Sequence, residues 1–138
     1  MKEKAPGSLP VFLVDDDTSV LHASAAVLRS AGVGAVQMIA DSRELLPALE
    51  SQPASAILLD LFMPHITGNK LLPDLVHLYP EVPVIVMTAA QDVETAVRSM
   101  KEGAFDYLVK PVEESRLVAS VRHALEVQSL RRQMGVLK

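Results

Sequence analysis

Ala56-Ile57-Leu58-Leu59-Asp60 is an apolar run that ends on a carboxylate. Consecutive apolar residues without polar alternation suit a strand whose sheet is covered on both faces. The same design recurs outward along the chain. Pro10 to Val14 runs into Asp15, Asp16 and Asp17. Pro83 to Thr88 ends on a threonine, and Phe105 to Lys110 ends on a lysine followed by Pro111. Val33 to Ala40 completes a set of five predicted strands.

Helical patterns separate them. Val20, Val27, Leu28 and Ala31 mark one face of a first helix, which Gly32 stops. Asp41 and Glu44 have capping-box spacing for a second helix. Pro47 fits that helix only in its first turn. A loop through Met63 and Pro64 leads at Gly68 into a third helix, predicted to reach about Tyr79, with Pro73 predicted to kink or delay it. The fourth spans Gln91 to Glu102, with Val93, Ala96, Val97 and Met100 on one side and Gly103 at its end. A long fifth helix starts near Glu113 and runs past Arg132. Five βα repeats predict an α/β fold: a doubly wound, five-stranded parallel sheet with right-handed crossovers and helices on both faces. Ligands of such sheets bind outside the carboxyl ends of the strands. The polar strand-end residues fall on that edge.

Composition narrows the function classes. The 138 residues suit one domain. A 49% hydrophobic content is that of a globular chain. A net charge of -4 argues against a face that binds nucleic acid directly. The absence of cysteine excludes disulfide and thiolate chemistry. The first residues have no apolar stretch of signal-peptide length, and no run approaches a membrane span. The expectation is a cytoplasmic domain without membrane contact. Residues 1–9 read as a flexible leader, 10–127 as the domain, and 128–138 as a helical linker extending the last helix.

Carboxylates crowded on one edge repel, by roughly 4 kcal/mol at about 4 Å and an effective dielectric of about 20. A bound cation removes that cost. Magnesium prefers oxygen ligands, so Asp15, Asp16 and Asp60 are candidate ligands, with the backbone carbonyl of Phe62 to complete the set. A carboxylate is also a nucleophile toward phosphoryl groups, and phosphoryl transfer needs positioning and charge neutralisation more than covalent chemistry. Lys110 and Thr88 would supply an ammonium and a hydroxyl, and the small Ala89 leaves room for an incoming group. Each residue alone has a plainer reading. A lone aspartate after a strand is usually a helix cap, as Asp17 is read here. Thr88 would be a turn residue, Lys110 a solvated charge and Tyr107 an ordinary half-buried aromatic. The ordered set on strands one, three, four and five is what favours chemistry.

Over about residues 9–127 the chain resembles the receiver domain of bacterial two-component response regulators. The resemblance rests on Val14-Asp15-Asp16-Asp17, Leu59-Asp60-Leu61-Phe62-Met63-Pro64, Met87-Thr88-Ala89 and the segment Gly103 to Pro111. It implies a flavodoxin-like sheet in the order 2-1-3-4-5, with Asp60 as phospho-acceptor and Asp15 and Asp16 holding Mg2+. It also implies that Thr88 and Lys110 contact the phosphoryl group, that Thr88 and Tyr107 form a switch, and that the Lys110–Pro111 peptide is cis. The implied partner is a sensor histidine kinase, and the implied output surface is the face of helix four, strand five and helix five. That face or the C-terminal helix would carry any homodimer. The segment Leu125 to Met134 resembles the linker helix of nitrogen-regulation-type, sigma-54-dependent activators, which leads to an AAA+ ATPase and a DNA-binding domain. Val127, Leu130, Met134 and Leu137 have the spacing of a short coiled-coil seam, and Gly135 favours fraying instead.

Three positions depart from the family pattern. Thr67 stands before Gly68 where an acidic residue is usual, and Phe62 and Ala90 occupy two positions that flank the path of a hydrolytic water and are more often polar. The apolar pair predicts a long-lived phosphorylated form. A magnesium-dependent phosphatase is the competing enzyme reading, but it would place a second aspartate where Phe62 stands. A phosphorylation-independent interaction module would be expected to lose Asp60, Thr88 or Lys110, and this chain keeps all three.

Overall fold

The strand residues alternate between two hydrophobic cores, one on each face of the sheet. Phe12, Val14, Ile57, Leu59, Val84 and Val86 point to one face, while Val11, Leu13, Ala56, Leu58, Ile85 and Met87 point to the other. Both faces are covered, which is why these strands are apolar throughout. The computed structural model describes residues 9–137, with side chains as far as Met134. The proposed leader therefore lies almost wholly outside the described residues.

The element order is β1 (Val11–Val14), α1 (Thr18–Ser30), β2 (Val36–Ile39), a 3-10 turn (Ser42–Glu44) continuing into α2 (Leu45–Ser51), β3 (Ala56–Leu59), α3 (Gly68–Leu78), β4 (Val84–Thr88), α4 (Val93–Lys101), β5 (Asp106–Val109) and α5 (Glu114–Leu137). All pairings are parallel, and the sheet order is β2-β1-β3-β4-β5. Leu45, Leu49, Leu71, Leu72 and Leu75 bring α2 and α3 onto one face. Leu21, Ala25, Leu28, Leu117, Val121 and Ala124 bring α1 and α5 onto the other. Helix α4 buries only Ser99 and leaves Val93, Val97 and Met100 exposed.

Several boundaries differ from the sequence expectation for identifiable reasons. Strand β2 starts at Val36 because the Val33 amide is spent closing α1: it donates to the Leu28 carbonyl at 2.9 Å across Gly32, which has φ +96°. Asp41 caps, but not as a capping box for α2. Its carboxylate accepts from the Arg43 amide and starts the 3-10 turn instead. Pro47 is then the third residue of α2, where the missing N–H costs nothing. Helix α3 is neither delayed nor ended by Pro73, and α4 begins after Asp92, whose side chain accepts from the Thr95 amide. Gly135 does not end α5, which continues to Leu137; the Leu137 side chain lies outside the described residues. Among the described residues no helix is long and apolar enough to cross a membrane.

Candidate functional site

Strands β1, β3 and β5 end in hydrogen bonds that hold the next residue at the carboxyl edge. The Asp15 amide donates to Ile39, the Asp60 amide to Val14 and the Lys110 amide to Thr88. Adjacent strands β2, β1 and β4 thereby hold the backbones of Asp15, Asp60 and Lys110 in turn. The Lys110–Pro111 peptide is cis.

The side chains converge. Lys110 Nζ lies 2.6 Å from Asp15 Oδ2 and 3.3 Å from Asp60 Oδ2. Asp15 is only 2% exposed and Asp60 is also buried. The second oxygen of each is held by backbone: the Asp17 amide donates to Asp15 Oδ1 at 2.9 Å, and the Phe62 amide to Asp60 Oδ1 at 3.2 Å. Asp15, Asp16 and Asp60 offer carboxylate oxygens within 4.8 Å of one another, with Asp16 exposed to solvent. Burial raises the Asp15 pKa; the bonds from Lys110 and the Asp17 amide pull it back, and the Asp60 charge adds to the rise. At Lys110 burial disfavours the charge, but the hydrogen bond to Asp15 and the two carboxylate charges outweigh it and raise its pKa. Both partners therefore shift upward, although a simple ion pair would lower the acid. One ammonium shared by two carboxylates neutralises neither fully, and the burial of Asp15 decides its direction.

This donor set fits a divalent cation. Three clustered carboxylates carry more negative charge than one lysine balances, and a hard oxygen site of this kind suits Mg2+. On the same edge the Thr88 hydroxyl is fully buried and has no hydrogen-bond partner among the described residues. Such an orphan is uncommon in a folded protein and calls for an explanation. Ala89 beside it is exposed and small. Tyr107 is half-buried, its hydroxyl donating to the Ala90 carbonyl at 2.8 Å, and burial raises its pKa. Phe62, whose amide bonds Asp60, has an exposed side chain. Asp17 accepts from the Ser19 amide and hydroxyl as the cap of α1.

Thr67, the departure before Gly68, caps α3 by accepting from the Lys70 amide at 3.3 Å. Two features escaped the sequence reading. The Ser42 hydroxyl bridges to the loop after Asp60, bonding Pro64 and Ile66. Asp106 ties β5 to α5 through Arg116 and Ser120. A short polar residue before a helix, or at a strand start, carried no signal of its distant partner.

The family model for the response regulator receiver domain matches residues 11–122. The chain belongs to this receiver-domain family. It is 36% identical over 132 residues to a putative NtrX-like response regulator of Rickettsia felis, covering 94% of this chain and 28% of that protein. To the DNA-binding transcriptional regulator NtrC of Escherichia coli K12 it is 37% identical over 115 residues, covering 83% of this chain and 24% of the relative. The crystal structure of NtrX from Brucella abortus superposes with a TM-score of 0.84 at 26% identity, covering 95% of this chain and 30% of that one. The receiver domain thus spans about a quarter of the length of these relatives. It is of the nitrogen-regulation type, and a receiver domain is a signalling domain of two-component systems.

Proposed function

We propose that Asp60 is the phospho-acceptor of this receiver domain and that Asp15, Asp16, Asp60 and the Phe62 carbonyl hold Mg2+ during the transfer. The observation that carries the reading is the Lys110 ammonium between the Asp15 and Asp60 carboxylates, with the unpartnered Thr88 hydroxyl on the same edge. An Asp60 carboxylate oxygen forms the new P–O bond as the P–N bond to a donor imidazole breaks, and the imidazole leaves with the electron pair. Mg2+ would supply charge neutralisation at the phosphoryl oxygens. The backbone bond from Phe62 holds one Asp60 oxygen and so orients the other. Lys110 would transfer its contact from Asp15 to the phosphoryl group, and the Thr88 hydroxyl would donate to a phosphoryl oxygen, ending its isolation. Beyond accepting this phosphoryl group and slowly losing it to water, the domain performs no turnover of its own.

The modification adds about -1.5 to -2 charge. As Thr88 moves to meet it, Tyr107 would exchange its bond to Ala90 for an inward position, and the α4-β5-α5 face would change shape. That face leaves Val93 76% exposed together with Val97, Met100 and Val109, and the α5 extension leaves Leu130 59% and Met134 67% exposed. Both suit a homodimer. Residues 10–127 would form the receiver and 128–138 the linker. The likeness to the nitrogen-regulation type supports a cytoplasmic protein with a sensor histidine kinase as phosphate donor. It also supports an AAA+ ATPase and a DNA-binding domain as outputs beyond this segment.

Intact-mass spectrometry after incubation with acetyl phosphate tests the reading. The expected result is a single labile phosphate adduct that needs Mg2+ and is absent from Asp60→Ala. An adduct that persists in Asp60→Ala overturns it.

A further inference from the structure

We infer that Ser42 is a positioning residue for this site: its hydroxyl fixes the loop that follows Asp60, and through that loop the direction of the Asp60 carboxylate. The inference rests on the reading of Asp60 just given.

Residues 61–67 join β3 to α3 without helix or strand. The loop is pinned near both ends. The Phe62 amide donates to Asp60 Oδ1 at 3.2 Å, and the Gly68 amide donates to the Leu61 carbonyl at 3.0 Å. Any Cβ at Gly68 would collide with the Asp60 carbonyl oxygen, so α3 abuts the backbone of the acceptor. Between these pins the chain has no backbone ladder, and there Ser42 enters. Its hydroxyl donates to the Pro64 carbonyl at 2.9 Å and accepts from the Ile66 amide at 3.1 Å, across 22 and 24 positions of sequence.

His65 lies between those two partners with φ +71°, a left-handed conformation that a side chain with a Cβ adopts reluctantly. The Ser42 bonds close the turn on either side of it and so hold the loop where its own backbone preference does not. Ser42 is itself rigidly placed. It is 2% exposed, it opens the 3-10 turn that Asp41 caps, and that turn runs directly into Leu45 and Leu49 in the core. The hydroxyl uses both its donor and its acceptor on one loop, and both bonds are partly buried.

The consequence falls on Asp60. One of its oxygens meets Lys110; the other is held by the Phe62 amide alone among the described residues. Phe62 lies two residues before Pro64. A loop released from Ser42 lets the Phe62 amide drift, and the Asp60 carboxylate loses the contact that sets its rotation. Supports of this kind commonly alter metal affinity without touching the ion.

Mg2+ titrations followed by thermal shift, with circular dichroism to check the fold, test this on the wild type, Ser42→Ala, Ser42→Cys and Ser120→Ala. Ser120 is the control: it is comparably buried, and its hydroxyl donates to Asp106 at 2.7 Å, remote in sequence from the acidic cluster. Ser42→Ala is expected to weaken Mg2+ binding by about threefold to tenfold and to speed hydrogen exchange of the Ile66 amide. Ser120→Ala is expected to lower the melting temperature while leaving Mg2+ affinity within about twofold. Ser42→Cys keeps the volume with a weaker donor and should fall between; if Ser42→Ala does not fold, this variant carries the test. Wild-type Mg2+ affinity in the folded Ser42 variant overturns the inference. A wild-type protein that binds no Mg2+ overturns the reading of the site, and this inference with it, before any variant is compared.

Discussion

A single ammonium answers for two buried carboxylates at this site. Breaking a fully buried ion pair costs about 3–5 kcal/mol, and Lys110 keeps some solvent contact, so Lys110→Ala should cost on the order of 2 kcal/mol. The lost charge also leaves the acidic cluster hungrier for a cation. Added Mg2+ should therefore raise the melting temperature more in Lys110→Ala than in wild type. An equal or smaller rise would show that the lysine does not compete for these carboxylates. Phe62 governs a different step. Exposed and apolar two residues after Asp60, its side chain offers no hydrogen bond to an attacking water. Phe62→Asn should speed loss of the phosphoryl group several-fold, followed as decay of the mass adduct. An unchanged lifetime would remove Phe62 from the account.

Residues of this kind were legible because strand ends are where a parallel sheet must place its chemistry. Asp15, Asp16, Asp60, Thr88 and Lys110 each follow or close an apolar run, so sequence order alone brought them to one edge. Ser42 was not legible, because its partners Pro64 and Ile66 are remote in sequence and are engaged through backbone atoms that have no side-chain signature.

At the scale of elements, the strands were read to within one residue at each end except β2, whose start moved from Val33 to Val36. Apolar runs have two ends visible in sequence, whereas a cap is decided by which amide the side chain finds. Asp41 met Arg43 and made a 3-10 turn, and the Asp41 carboxyl is lowered to about 2 by the Arg43 side chain and amide. The link between β5 and α5 is electrostatic as well as apolar. Burial works to raise the Asp106 pKa, but bonds from Arg116, Ser120 and the Tyr107 amide outweigh it and leave it below 3.8. A lowered folded-state pKa contributes stability that is complete above 3.8 and is lost as pH falls through the folded value. Asp106→Asn should therefore lower the melting temperature near neutral pH, and the gap to wild type should close as pH drops below 3.8. A gap that stays constant with pH would mean the carboxylate charge contributes nothing to the link. Beyond the sheet, Leu130 and Met134 face solvent on α5. If α5 carries the proposed homodimer, replacing both with glutamate should abolish self-association in sedimentation experiments while changing stability by less than about 0.5 kcal/mol. Unchanged association would move the proposed dimer contact to the α4-β5-α5 face.

At the scale of the whole molecule, one sheet separates two tasks. The core under α2 and α3 anchors the loop and helix that follow Asp60. The α4-β5-α5 side buries less and leaves apolar side chains outside. An anchored loop after Asp60 and a loosely covered surface elsewhere suit the two-state switch proposed above. The five-strand architecture was readable because both-face burial writes itself into every strand. The C-terminal extension was readable only as a spacing of four apolar residues, and Leu130 and Met134 of that set stay exposed while Gln128 is buried and Arg131 reaches the Pro80 carbonyl.

The central claim is that the phosphoryl group resides on Asp60. Borohydride reduction of the acetyl-phosphate-treated protein, followed by peptide mapping, tests it most directly, because hydride converts an aspartyl phosphate to homoserine at the modified position. The account predicts homoserine at position 60 alone, and only when Mg2+ was present. Homoserine at Asp15 or Asp16, or phosphate retained on a hydroxyl residue with position 60 unchanged, would contradict it.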